Sequence, residues 1–179
     1  EVAFTELGPL VESIAAAFAP LAAERGSHVV TDVRESVVAS VDSNAVRQIV
    51  LNLLDNALKF GPPGQTVRLI VDRVDSRARL AVEDQGPGIP VMDRSRIWSP
   101  YVRLRRETSV AHEGSGIGLA VVRELTALHR GEAYVEEAAG GGARVVIELP
   151  TGVAIQEPAD LSAPKRARPL DRSTEGIDR

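Results

Sequence analysis

The clearest pattern of apolar and polar positions lies between residues 43 and 60. At about 100° per residue, apolar side chains fall on one stripe of a helix and polar side chains on the opposite stripe. The apolar stripe comprises Val46, Val50, Leu53, Leu54 and Ala57, and the polar stripe comprises Gln48, Asn52, Asp55, Asn56 and Lys59. Asp42 or Ser43 can cap the start, and the Gly-Pro-Pro-Gly sequence at 61–64 ends the helix. The pattern predicts an amphipathic helix over 43–60.

The rest of the chain switches between helical and strand periodicity. We expect helices over 5–24 and 117–129, and strands near 28–33, 37–41, 66–73, 78–84, 133–138 and 143–149. This order is typical of an α+β fold, a two-layer sandwich in which helices cover one face of a mixed β-sheet. Residues 1–27 form an N-terminal helical segment and 28–150 the core. Residues 151–179, rich in proline, alanine and charge, are expected to be a disordered tail.

The polar stripe of the central helix places two carboxamides and an ammonium group on one surface. Asn52 and Asn56 are one helical turn apart, and Lys59 lies on the same face. Neutral amide oxygens suit a magnesium ion that is already bound to phosphate, since this ion takes few protein ligands. Asn56 is therefore a candidate ligand, with Lys59 near a phosphate. The alternative is an ordinary solvated polar face.

Two glycine-rich segments follow this helix. Residues 84–90 come at the end of a predicted strand, where Asp84 can accept a hydrogen bond from the amino group of adenine, although such a turn also suits an ordinary hairpin. Residues 114–119 open a predicted helix, whose free amides and dipole favour an anion, although repeated glycines also suit a mobile loop. Neither segment matches the dinucleotide-binding fingerprint or the P-loop, so both common nucleotide folds are disfavoured.

Together these segments resemble the nucleotide-binding boxes of histidine kinases. Asn52–Lys59 is similar to the N box, Asp84–Gly88 to the G1 box, Gly114–Leu119 to the G2 box and Ile97–Arg103 to the F box. The resemblance covers about residues 2–150. It implies the GHKL ATPase superfamily and a Bergerat-type fold, which binds ATP between a mixed sheet and its helices under a lid, here at about 91–113.

The resemblance also implies a role for each matching residue. Asn56 would ligate Mg²⁺, Asn52 and Lys59 would lie near the phosphates, and Asp84 would bind adenine. Arg103, Arg105 and Arg106 add charge to the expected lid, and Arg103, which matches the end of the F box, is the one expected to reach the γ-phosphate. The alternative is a solvated charge run. Asn52, Lys59 and Arg103 then form the expected catalytic set. The other expected ATP contacts are Phe60, Gly86, Gly88, Ile89, Gly114, Ser115, Gly116, Ile117, Gly118 and Leu119.

The implied activity is that of a protein histidine kinase in a two-component system. Its substrate would be a histidine on a separate dimerisation domain of the same protein, and a response regulator would be the second partner. His28, His112 and His129 lack the setting of an acceptor, so we expect the acceptor outside this chain. Residues 1–27 resemble the segment that follows the histidine-bearing hairpin.

Hydrolases of the same superfamily place a glutamate base where this chain has Asn52. Because an amide cannot act as a general base, strong intrinsic ATP hydrolysis is not expected. Two other functions stay open at this point. One is a serine protein kinase of the anti-sigma-factor type, and the other is a catalytically degenerate docking module.

Composition mainly excludes classes of function. A chain of 179 residues that is 44% hydrophobic can bury one sizeable core, and a net charge of −4 argues against nucleic acid as a partner. The sequence contains no cysteine, which excludes disulfides and thiolate metal sites. It contains no run of 18 apolar residues, so we expect no membrane contact by this domain. We expect a cytoplasmic domain, and a full-length protein anchored in the inner membrane would be compatible with it.

Overall fold

The computed structural model describes residues 1–103 and 115–151. Part of the expected lid (104–113), Gly114 and nearly all of the expected tail (152–179) therefore lie outside the described residues. The elements in chain order are β1 (Ala3–Glu6), α1 (Leu7–Glu24), β2 (His28–Val33), β3 (Val38–Val41), α2 (Ser43–Phe60), β4 (Thr66–Val74), β5 (Arg77–Glu83), a short 3-10 turn (Val91–Asp93), α3 (Gly118–Leu128), β6 (Glu132–Glu137) and β7 (Ala143–Pro150).

Five of the strands form one mixed sheet in the order β2-β4-β5-β7-β6. Strands β2 and β4 are parallel, and the other neighbours in this sheet are antiparallel. Strands β1 and β3 form a separate two-stranded antiparallel sheet. Helices α1, α2 and α3 contribute to one core with a single face of the large sheet. The predicted α+β sandwich, with helices on one face of a mixed sheet, is therefore confirmed.

Helix α2 spans the predicted range, 43–60, and the apolar stripe is buried as predicted. The Asp42 carboxylate caps its first turn by accepting hydrogen bonds from the amides of Asn44 (2.8 Å) and Ala45 (3.3 Å). This cap fixes the start of α2, and burial of the apolar stripe turns the polar stripe away from the core.

The first helix begins later than predicted, at Leu7 instead of residue 5. Thr5 and Glu6 belong to β1, which pairs with β3 so that Phe4 lies opposite Ser40. This pairing joins segments far apart in the chain, so it leaves no mark on the local periodicity of residues 5–24. The N-terminal segment is thus a strand followed by a helix.

Helix α1 has the length and composition to cross a membrane, with 18 residues and a mean hydropathy of 1.2. Such a test is also passed by the core helices of soluble proteins. Here Leu7, Val11, Ile14 and Phe18 pack into the shared core, each with at most 7% of its surface exposed. Their burial is that of a core helix.

The opposite face of the large sheet carries charged side chains over a narrow apolar row. Ile70, Ala81 and Val146 are buried there, with Tyr134 packed against them. Rows of ion pairs flank them, joining Arg79 to Glu136 (2.8 Å), Arg144 to Glu83 (3.2 Å) and Arg77 to Glu148 (3.2 Å). Burial and a hydrogen bond to Glu148 raise the pKa of Tyr134 to about 12, so Tyr134 remains a donor at neutral pH.

Two phenylalanines provide a matched test of this packing. Phe18 on α1 is 7% exposed, whereas Phe4 on β1 is 68% exposed. We expect Phe18→Ala to lower the free energy of unfolding by about 3–5 kcal/mol, because it leaves a cavity under α1. Phe4→Ala should change it by less than about 0.5 kcal/mol. Urea denaturation of both variants measures the difference, and equal losses would contradict the placement of α1 in the core.

Candidate functional site

The amino end of α3 meets the polar face of α2. A Cβ atom added at Gly118, the first residue of α3, would lie 3.8 Å from Asn56 Nδ2 and 3.9 Å from Asn52 Oδ1. The first amides of a helix have no partner within the helix, and the helix dipole is positive at this end. The two carboxamides therefore lie next to a helix terminus that can attract an anion, and Asn52, Asn56 and Gly118 are close together.

Asn56 carries an unpaired polar atom in this position. Its Nδ2 is buried and, among the described residues, has no hydrogen-bond partner. The two ends of a carboxamide have nearly the same shape, so a half-turn of the side chain puts an oxygen there instead. Asn52, by contrast, accepts a hydrogen bond from Gln48 Nε2 through Oδ1, at 3.4 Å. Asn56 is thus the carboxamide available to a ligand.

This donor set fits a magnesium ion that is brought in with phosphate oxygens. Within residues 1–103 and 115–151, no group of three or more histidine or acidic side chains is placed to hold a metal ion by itself. A single neutral oxygen from Asn56, next to a helix terminus that attracts phosphate, matches the preference of magnesium for few protein ligands. The residues present therefore fit an ion that arrives with a nucleotide.

Lys59 is engaged within its own helix. Its ammonium group pairs with Asp55 at 2.5 Å, one turn earlier. The i, i+4 spacing makes this pair visible in the sequence, where both residues were placed on the polar stripe. A phosphate placed near Lys59 would compete with Asp55 for this ammonium group.

Asp84 lies just after β5, with one carboxylate oxygen held by backbone amides. Its Oδ1 accepts hydrogen bonds from Gly86 N (2.8 Å) and Ala143 N (3.1 Å). Its own amide donates to Ala143 O at 3.0 Å. The oxygen Oδ2 takes part in none of these bonds and keeps its capacity to accept from a ligand. The backbone thus fixes the carboxylate and leaves one oxygen to bind.

Gly142, which had no predicted role, allows the approach that fixes Asp84. A Cβ atom at Gly142 would overlap the carbonyl oxygen of Asp84. Gly88 has a φ of +68°, and a Cβ there would lie 3.3 Å from Gly141 O. The three consecutive glycines at 140–142 are the only hint that the sequence offers of a close backbone contact here. The contact itself, between this turn and residues 84–88, forms only when the strands pair in the sheet.

The expected lid is hydrogen-bonded to the segment that follows it. Tyr101 N donates to Gly116 O at 3.0 Å. Gly116 has a φ of +71°, and a Cβ there would lie 3.1 Å from Tyr101 Cα, so glycine suits this position. Arg103 is exposed at the end of the first described range, and Trp98 of the F box is buried.

The remaining predicted contact residues lie around the same region with different exposures. Phe60 ends α2 and is 47% exposed, and Ile89 is half-buried, with its carbonyl accepting a hydrogen bond from Arg94 Nε at 3.1 Å. Ser115 is exposed, and Ile117 and Leu119 are half-buried at the start of α3. Gly114 lies outside the described residues.

His129 joins the far end of α3 to the start of α2. Its Nδ1 lies 2.7 Å from Leu125 O, and its Nε2 accepts a hydrogen bond from Asp42 N at 3.0 Å. This arrangement requires a neutral ring with the proton on Nδ1, because the backbone amide must find a lone pair on Nε2. His129 is thus a structural histidine, with both ring nitrogens bonded to the backbone.

The profile of the family described as "Histidine kinase-, DNA gyrase B-, and HSP90-like ATPase" matches residues 41–153. This span contains α2, the Asp84 turn and α3. The chain belongs to this ATPase family. Its relatives and structural neighbours place it among the catalytic ATPase domains of sensor histidine kinases.

Three known proteins illustrate the similarity. The sensor histidine kinase TmoS of Ectopseudomonas mendocina is 34% identical over 146 residues, which is 81% of this chain and 15% of TmoS. The structure of the mycobacterial sensor histidine kinase MprB has a TM-score of 0.71 and 27% identity, covering 84% of this chain and 98% of that one. The structure of full-length ShkA in complex with AMPPNP has a TM-score of 0.71 and 31% identity, covering 84% of this chain and 31% of ShkA.

Gly142 and Gly140 provide a matched pair of glycines next to the ATPase site. Gly142→Ala should lower the free energy of unfolding by about 1–3 kcal/mol, because the new methyl group forces β7 and Asp84 apart. At Gly140 a Cβ would meet no atom within 4 Å, so Gly140→Ala should change stability by less than about 0.5 kcal/mol. Urea denaturation measures both, and a tolerated Gly142→Ala would contradict the close approach.

Proposed function

We propose that this chain binds Mg-ATP and donates the γ-phosphoryl group to a histidine on a separate dimerisation domain of the same protein. The observation that carries the proposal is the meeting of the α3 amino end with Asn52 and Asn56, a phosphate site next to a candidate magnesium ligand. The similar ShkA structure holds AMPPNP, which supports a nucleotide as the ligand here. The full protein, its kinase activity and its partners are part of the proposal, since the chain spans only 15% of TmoS.

The adenine end of the site is assigned to Asp84. Two backbone amides hold its Oδ1, and Oδ2 is the acceptor proposed for the amino group of the base. Gly86, Gly88, Ile89 and Phe60 would form the walls beside the base. The carboxylate supplies specificity because a base with a carbonyl at that position would place two acceptors against each other.

The phosphate end is assigned to the start of α3 and the polar face of α2. Gly116, Gly118 and the neighbouring residues 114–119 offer backbone amides, and Asn52 and Lys59 add polar groups. The Lys59–Asp55 pair has the i, i+4 geometry of pairs that contribute about 0.3–0.5 kcal/mol, so a phosphate can draw Lys59 away. Asn56 would hold the magnesium ion, which when bound neutralises charge on the transferred phosphoryl group.

Arg103 is proposed to add a cationic group at the γ-phosphate. It is exposed and lies within the expected lid. A guanidinium group matches the geometry of phosphate oxygens and remains charged at all physiological pH values. With Asn52 and Lys59, it completes the proposed catalytic set.

The site is proposed to transfer phosphate to a protein side chain, not to water. The position at which related hydrolases carry a glutamate base is Asn52, and its amide oxygen already accepts a hydrogen bond from Gln48. We therefore infer that the acceptor domain brings its own base, and that this chain orients ATP for in-line attack. We propose that the domain works in the cytoplasm, and that a response regulator takes the phosphoryl group from the histidine.

A transfer assay tests the reaction. The chain is incubated with labelled Mg-ATP and a separately purified histidine-bearing dimerisation domain from the same protein. We expect label on that domain that is lost in acid and retained in alkali, as for phosphohistidine, with little release of inorganic phosphate when the domain is omitted. Acid-stable label on a protein substrate would instead support the serine kinase alternative, and no binding of ATP at all would support the docking module.

Asp84→Ala tests the adenine assignment. Loss of a charged hydrogen bond of about 1.5–3 kcal/mol should weaken ATP binding by about ten- to a hundredfold. Asp32→Ala is the control, because Asp32 lies on β2, pairs with Arg34 at 3.2 Å and is not part of the site. Calorimetric titration with Mg-ATP compares the two variants. An unchanged affinity in Asp84→Ala would show that another group reads the base.

A further inference from the structure

Gln65 is a buried carboxamide with both ends paired, and the sequence-based predictions gave it no role. Only 2% of the surface of Gln65 is exposed. Its Nε2 donates to Ala57 O in the last turn of α2, at 2.7 Å, and its Oε1 accepts from Gln85 N at 3.0 Å. One side chain therefore connects the carboxyl end of α2 to the residue that follows Asp84.

The side chain of Gln85 makes a similar hydrogen bond to the other strand. Its side-chain Oε1 accepts a hydrogen bond from Thr66 N at 3.0 Å. Strands β4 and β5 are antiparallel, with Arg68 opposite Glu83, and the same register carried further puts Thr66 opposite Gln85. The two glutamine side chains thus hydrogen-bond the segments that follow β5 and precede β4, beyond the point at which β5 ends. Asp84 lies between the last residue of β5 and Gln85, within this hydrogen-bonded segment.

The glycines around Gln65 leave space for this bridge. A Cβ atom at Gly61 would overlap the Gln65 carboxamide. A Cβ at Gly86 would lie 3.0 Å from Phe60 O and 2.9 Å from Asp84 Oδ1. The end of α2, the carboxamide and the turn at 84–86 are therefore packed closely against one another.

We propose that Gln65 is a positioning residue for adenine recognition. It sets the place of the 84–86 turn relative to α2, and so directs Asp84 Oδ2 towards the base while Ala143 holds Oδ1. Without the carboxamide, Gln85 N loses its acceptor and the turn loses its tie to α2, whereas Ala57 O still accepts from Gly61 N at 2.9 Å. This inference rests on the proposed binding of ATP, with Asp84 as the residue that reads adenine.

The test compares two nucleotides that differ at the position read by Asp84. Inosine triphosphate carries a carbonyl where ATP carries an amino group, and its phosphates are identical. In Gln65→Leu, Mg-ATP affinity should fall by about threefold to tenfold, the loss expected when a neutral hydrogen bond no longer orients the acceptor. Affinity for Mg-ITP should fall by no more than about twofold, because the phosphate end is untouched. Calorimetric titration is done where melting curves show the variant to be folded.

A double-mutant cycle distinguishes a positioning role of Gln65 from a general loss of structure at the binding site. In the Asp84→Ala background, adding Gln65→Leu should cost no further ATP affinity if Gln65 acts through Asp84. Equal losses for ATP and ITP, or additive losses in the cycle, would overturn the proposal. A general structural role would produce those results.

Gln65→Met serves as a second variant if Gln65→Leu does not fold. It keeps an unbranched side chain of similar length and removes the bonds to Ala57 O and Gln85 N, so it should reduce ATP affinity more than ITP affinity. Equal effects on both nucleotides would again overturn the proposal. Failure of the proposed function is recognised separately: the unaltered chain would then not bind ATP, or Asp84→Ala would not reduce its preference for ATP over ITP.

Discussion

The structure depends on helix α2 serving the core and the site at the same time. Its apolar stripe is buried against the sheet, which fixes its rotation, and the helical period then turns Asn52 and Asn56 towards α3. Both of its ends are tied to other parts of the site. His129 joins its start to α3, and Gln65 joins its end to the turn that carries Asp84. The burial of one face thus sets the geometry on the other.

Local sequence signals were sufficient for the elements that they define by themselves. Helix α2 follows directly from its apolar period, the Asp42 cap and the glycine and prolines that end it, and its bounds agree with the prediction. The strands of the large sheet were also found to within one residue, because alternating apolar residues mark strands with one buried face. The grouping of Asn52, Asn56 and Gly118 followed from the family resemblance, since no local pattern shows which segments meet.

The features that could not be predicted are those created by contacts between distant segments. Strand β1 forms by pairing with β3, so residues 5 and 6 looked helical by their own periodicity. Gly142 is required because the backbone of β7 crosses close to Asp84, 58 positions earlier in the numbering, and Gln65 matters only because Gln85 folds back onto it. The Lys59–Asp55 pair is different, because its i, i+4 spacing was already visible in the sequence.

The way in which acidic groups are used at the site explains why it suits transfer to a protein. Among the described residues of the site, Asp55 is paired with Lys59, and Asp84 is held by the amides of Gly86 and Ala143 at the opposite end from α3. The place that a water-activating acid would take is occupied by Asn52. A nucleotide bound here would therefore meet amides and cations at its phosphates, which stabilise negative charge but remove no proton. Under the proposed function, the base needed for the reaction has to come with the acceptor, so phosphoryl transfer would be conditional on docking of that partner.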